Sequence, residues 1–154
     1  MNINEAAWKT LKWKLMKRRL GYNRDEMDAF RQNPRNEDIL SKVPDLMGKT
    51  IILQVVDSHG CNSQHKVGDE FFFDGAGNLL TKFGPKRICV HALSAASTLI
   101  FAANELLYAG VDPNEMRFNR VACAADVGLE CGGWGRVVME IRVADRREVE
   151  QEIE

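Results

Sequence analysis

Two runs of residues constrain this chain more than anything else in it. Thr50-Ile51-Ile52-Leu53-Gln54-Val55-Val56-Asp57 and Glu70-Phe71-Phe72-Phe73-Asp74 are both strongly strand-forming, and the polar stretch Ser58–Asp69 separates them. Short runs of β-branched and aromatic residues pack best on a pleated sheet. The first run is almost continuously apolar, which predicts a strand covered on both faces. The intervening loop carries His59, Cys61 and His65, two of the chain's three histidines and one of its four cysteines. Held at both ends by β structure, such a loop can aim metal-ligating side chains at one point.

A length of 154 residues suits one domain with an arm. The net charge of −1 gives no overall pull toward nucleic acid or a membrane surface. Trp8, Lys9, Lys12 and Lys14 stand where a signal peptide would need an apolar core, so the reading is cytoplasmic, with thiols kept reduced. Cys61, Cys89, Cys123 and Cys131 are then free thiols or metal ligands before they are disulfides. None forms a C-x-x-C pair, and a single free cysteine commonly packs as a small hydrophobe.

Residues 3–20 read as an amphipathic helix, with Ala7, Leu11 and Leu15 as a stripe, Trp8 and Met16 widening it, and Gly21 as its stop. The opposite face is basic: Lys9, Lys12, Lys14, Lys17, Arg18 and Arg19. Asn23 with Glu26 has the spacing of a capping box for a second short helix, expected to end before Pro34. A third helical turn is expected near Glu37–Lys42, closed by Pro44. With few large apolar groups outside the stripe, residues 1–47 read as a helical arm that packs on something else. A protein partner or a homo-oligomer contact through residues 3–45 ranks ahead of nucleic-acid or membrane-surface binding.

Residues 48–143 read as the compact body and 144–154 as a charged tail, helical or frayed. After Phe71–Phe73, the run Asp74-Gly75-Ala76-Gly77-Asn78 is a turn by its glycines, and Gly84-Pro85 breaks the chain again. Ile88–Ala109 reads as the longest helix, stopped by Gly110; its polar interruptions His91, Ser94, Ser97, Thr98 and Asn104 favour a core helix over a membrane span. Further strands are expected over Arg117–Ala124 and Arg136–Val143. Their glycine-rich connection, Asp126–Gly135, lacks the strand-then-helix context of a phosphate loop. The expected class is α+β: a small, mostly antiparallel sheet around one long buried helix, with an N-terminal helical arm.

Cys61 lies in the first loop with His65 four residues on, Cys89 opens the long helix beside His91, and Cys123 lies near the end of a strand. Convergence of Cys61, His65, Cys89 and Cys123 would give three thiolates and one imidazole, a closed tetrahedral set suited to zinc. Adding Cys131 would give four thiolates for an iron–sulfur cluster, although the spacing fits no ferredoxin pattern. Zinc is expected ahead of iron or a cluster, with a metal-free core of packed thiols as the alternative. Cys89 is the best-placed thiol, because the N–H groups of a helix N-terminus lower a thiol's pKa.

His65-Lys66-Val67-Gly68-Asp69-Glu70-Phe71, with Cys61 ahead of it, and Ile88-Cys89 opening a long small-residue helix, resemble a family of small, largely uncharacterised prokaryotic proteins. That family carries C-x-x-G-H-K-V-G-D-x-F, then C-P-x-A-F-H-A-L opening a helix, then a late cysteine before a final strand. The resemblance covers about residues 49–143, with Gln64 where glycine is usual. Aligning the second motif on Cys89 puts Ser94 at the histidine position, whereas aligning on His91-Ala92-Leu93 shifts the cysteine by three. The resemblance implies the site and not the reaction.

Three functions remain open. One is a small metal-binding accessory subunit that docks on a larger enzyme through its N-terminal helices. Another is a metal-dependent lyase, hydratase or isomerase acting on a carboxylated or phenolic metabolite. There His65 or His91 would act as acid–base, and Lys66 or Arg87 would pair the substrate's anion. The third is a metal-free oligomeric interaction domain.

Overall fold

The computed structural model describes residues 5–123 and 128–153. Five helices and four strands follow in the order α1 (Glu5–Leu20), α2 (Arg24–Gln32), α3 (Pro34–Met47), β1 (Lys49–His59), β2 (Glu70–Asp74), α4 (Val90–Ala109), β3 (Arg120–Ala122), β4 (Arg136–Asp145) and α5 (Arg146–Ile153). The class is α+β, as the sequence predicts. The chain divides into two units, Met1–Val43 and Pro44–Glu154. The boundary thus falls inside α3, a few residues before the expected one. Residues 3 and 4 and the side chain of Trp8 in the expected arm, Ala124 at the expected strand end, and residues 124–127 of the glycine-rich connection lie outside the description.

In the first unit Asn23 accepts the Glu26 N–H while Glu26 reaches back to the Asn23 N–H, so the capping box forms as its spacing predicts. The expected stripe is not the buried face of α1. Ala7 is exposed and Leu15 is 46% exposed, whereas Lys12 is buried. Side-chain partners turn the helix: Lys12 pairs with Glu37, and Trp13 packs edge-on against Phe30, which also meets Tyr22. Met27 and Leu40 of this unit are buried as well. The second helix ends at Gln32, before Pro34 as expected, whereas the closing role expected of Pro44 is corrected. Pro34 opens α3 and Pro44 lies inside it. At the first helical position the N–H that proline lacks would have no partner anyway.

The body is one antiparallel sheet in the order β2-β1-β4-β3. β1 is covered on both faces in its first half. Ile51, Leu53 and Val55 pack with Phe71, Phe73, Met139 and Ile141 under α4. Ile52 packs on the other face with Phe72 and Val149 of α5. Gly110, left-handed at φ 74°, ends α4 and bonds back to Leu106 and Leu107, so its predicted stop is correct. Ala92, Ala96, Leu99, Ile100 and Ala103 recur on one face and are buried against the sheet, while Val90, Ser94, Ser97, Thr98 and Phe101 face outward. The helix is therefore buried along one stripe. Among the described residues α4 is the one helix long and apolar enough to cross a bilayer by length and composition, a test that a core helix also passes.

Candidate functional site

The site is built where β1 leaves the sheet. A bulge between Val55 and Asp57 inserts one residue, so Ser58 rather than Asp57 comes opposite Val137, on the face toward α4. The Ser58 hydroxyl then donates to the His65 carbonyl at 2.6 Å and folds the loop back on its own strand. The Val55 N–H bonds to the Asp69 carbonyl at 2.8 Å and the Gly68 N–H to the Val55 carbonyl at 2.9 Å, closing the loop's other end. Within it the Gln64 N–H returns to the Cys61 carbonyl, with Gln64 itself left-handed at φ 61°. This is the position where the resembled family has glycine, the residue for which that conformation is free of steric cost.

Two glycines set the depth of the site. A Cβ on Gly135 would come within 2.3 Å of the Gly60 backbone, and one on Gly60 within 2.7 Å of the Trp134 carbonyl. Only bare backbone lets the two segments cross this closely. The crossing carries Cys61 to the start of β4. Cys123 arrives from the other side, its N–H bonded to the Val137 carbonyl at 2.9 Å. Cys89 is the residue that caps α4. The three thiols, all half-buried, line one pocket of about 220 Å³ together with Ser63, His91, Trp134 and Arg136.

His65 does not line that pocket. It is 5% exposed, lies edge-on to Phe71, and its Nε2 accepts the Cys89 N–H at 3.3 Å. Its remaining nitrogen, Nδ1, then carries the proton and faces the Asp69 carboxylate at 3.8 Å. The ring ties the loop to the first turn of α4, satisfying one of the N–H groups a helix start leaves open. Lys66 is exposed and lines the neighbouring open pocket of the loop, and Arg87 donates to the Gln64 amide oxygen at 3.3 Å. Neither lines the thiol pocket. Cys131 is exposed and lies outside it as well.

The pocket makes the Cys89 thiol more acidic than a free one. Burial pushes that thiol up, but the N–H groups of Ala92 and His91 and the Ser63 hydroxyl more than offset it and hold its pKa below the ordinary value. As it stands, the Cys89 side chain makes no capping hydrogen bond. The thiols stand around the pocket wall without converging: among the described residues, no three His, Cys, Asp or Glu side chains are grouped tightly enough to hold a metal ion as they stand.

Ser63, Trp134 and Arg136 are additions that residue-by-residue reading missed. The signal available for Trp134 and Arg136 was the Gly132-Gly133-Trp134-Gly135-Arg136 run, whose glycines mark a close backbone crossing. Arg136 is paired with Asp57 through Nη2 at 2.7 Å and Nε at 3.2 Å. Comparison of the chain with protein-family models, with curated proteins and with solved structures returns no match, so the family resemblance stands on its two motifs alone.

Proposed function

We propose that the protein is a small metal-binding accessory subunit of the reducing cytoplasm. In this reading it carries a soft or borderline ion, zinc ahead of iron, on Cys61, Cys89 and Cys123. The observation behind it is that three thiols from three separate segments line one pocket, with the pKa of one of them held below the ordinary thiol value. His91 lines the same pocket and is the candidate fourth ligand in place of His65, whose Nε2 already accepts the Cys89 N–H. Binding would draw the thiols inward from the wall, so the site forms with its ion.

The accessory role is preferred to the lyase or hydratase role because the cations expected to pair a substrate's anion are not at the thiol pocket. Lys66 and Arg87 lie outside the thiol pocket, and Arg136 is committed to Asp57. Docking is assigned to the helical unit, where Leu15 and Leu20 are 46% and 40% exposed beside Lys17, Arg18 and Arg19.

Elemental analysis of untagged protein purified without oxygen tests the reading. About one zinc per chain is expected for a site of this donor set. It should fall to background in Cys61→Ser, Cys89→Ser and Cys123→Ser and persist in Cys131→Ser. Wild-type protein without metal after anaerobic zinc loading would overturn it.

A further inference from the structure

We propose that the outward face of α4 is a homodimer interface, on which a second copy of this chain packs antiparallel about a two-fold axis beside Ser97 and Thr98. This surface is separate from the helical unit to which docking on a larger enzyme is assigned, and neither reading depends on the other. Val90, Ser94, Phe101 and Glu105 fall in line along the face, with Ser97 and Thr98 to either side, opposite the buried Ala92, Ala96 and Ala103. No Asp, Glu, Lys or Arg interrupts the helix from Val90 to Asn104. A solvated helical face ordinarily carries charge. Here, instead, Val90 and Phe101 stand 69% and 66% exposed. Part of the remaining polarity is already satisfied within the helix. The Ser97 hydroxyl donates to the Ser94 carbonyl at 2.6 Å, so covering it strands no donor.

The occupant is identified by the face being its own complement. A closed two-fold interface requires one patch to meet itself reversed. Ser94 and Phe101 stand equally far on either side of the Ser97–Thr98 pair, so reversal lays the Phe101 ring over Ser94 of the partner subunit. Large meets small, and the short side chains at the axis let the two backbones approach. Reversal also brings Glu105 to the start of the other α4, the positive end of its dipole, with Lys86 and Arg87 of the partner subunit just ahead. Glu105 and Lys86 are exposed and enter no ion pair among the described residues. Parallel packing would set Phe101 against Phe101 and Glu105 against Glu105. One helix pair is a small interface, so association in the micromolar range is expected.

Sedimentation equilibrium of the reduced full-length protein, taken up to about 100 μM, tests the assignment. A reversible monomer–dimer equilibrium is the expected result. Thr98→Glu sets like charges face to face across the axis and should weaken it by about 100-fold or more. Thr98 is exposed, so the variant should keep the wild-type circular dichroism. Ser94→Phe separates this register from general apolar association. Added apolar surface would tighten an unspecific contact, whereas a ring set against Phe101 of the partner subunit should weaken the dimer by about 10-fold or more. A chain that stays monomeric throughout that range, a dimer that Thr98→Glu leaves intact, or a tighter dimer in Ser94→Phe would each overturn the proposal. None of these outcomes touches the cysteines, so the metal reading is tested separately.

Discussion

His65 shows how one side chain can look like a ligand and serve as a fastener. Its place four residues after Cys61 invited a role in metal binding or acid–base chemistry. In the fold it is buried against Phe71 and spends its acceptor nitrogen on the Cys89 N–H. Removing it would leave that N–H without its acceptor and a void beside Phe71. An unsatisfied buried donor costs about 1–3 kcal/mol and a truncated core side chain adds a cavity term. His65→Ala should therefore lower stability by about 2–4 kcal/mol, read from the denaturant midpoint. At temperatures where the variant remains folded, its zinc content should match wild type. Loss of zinc with no loss of stability would make His65 a ligand after all.

At the scale of elements, the β2 turn shows what pattern and spacing make legible. Asp74-Gly75-Ala76-Gly77-Asn78 reads as a turn from its glycines, and the structure adds the mechanism: the Asp74 carboxylate accepts the Ala76 N–H, the Asn78 N–H and the Asn78 side-chain amide, all within 3.1 Å. Partial burial pushes the Asp74 pKa up, but these donors and the Arg146 charge outweigh it, and the net shift is downward. A carboxyl whose folded pKa lies below its unfolded value contributes stability that is fully present above the unfolded pKa. That stability is lost as pH falls through the folded pKa. Asp74→Asn should thus be less stable than wild type near neutral pH, by about 1 kcal/mol given that charged acceptors are stronger than neutral ones. The gap should narrow as pH falls below about 4. Parallel denaturation curves at neutral and acid pH check this, and a gap that stays constant with pH would count against the carboxylate's charge.

The other elements divide the same way. β1, β2 and α4 were legible because composition, length and a stop signal agree in each. The helix at Pro34–Met47 is legible only as a turn near Glu37–Lys42, because Pro34, which does follow the end of α2, also opens the next helix, and Pro44 lies inside that helix rather than closing it. The buried face of α1 was missed because Lys12 reads as solvated until Glu37 is known to meet it. The site was half legible. The three cysteines that line the pocket were the three expected, but what decides their neighbours is the Gly60–Gly135 crossing, whose glycines mark a close approach without naming the segment approached, and the bulge at Val55, which has no local pattern.

At the scale of the molecule, the two units differ in both charge and self-sufficiency. Residues 1–43 hold ten Lys and Arg against six Asp and Glu, a net +4, whereas residues 44–154 hold eleven against sixteen, a net −5. The near-neutral total hides two oppositely charged parts. The body buries two apolar clusters, one on each face of its sheet, and Leu46 near its N-terminal end is buried as well. The helical unit has Met27, Leu40 and an aromatic cluster about Phe30 to hold one helix of 16 residues, one of 9 and the first part of α3. A chain of about 40 residues buries too little surface to be stable without further support, and isolated helices shorter than about 12–15 residues are marginal in water. Residues 44–154 expressed alone should therefore unfold cooperatively. Residues 1–43 alone should lose most of their helical circular dichroism. The helical unit would then gain its full order only from what adjoins it, as a docking element should. A fully helical, cooperatively melting 1–43 peptide would make it an independent domain and remove that argument for a partner.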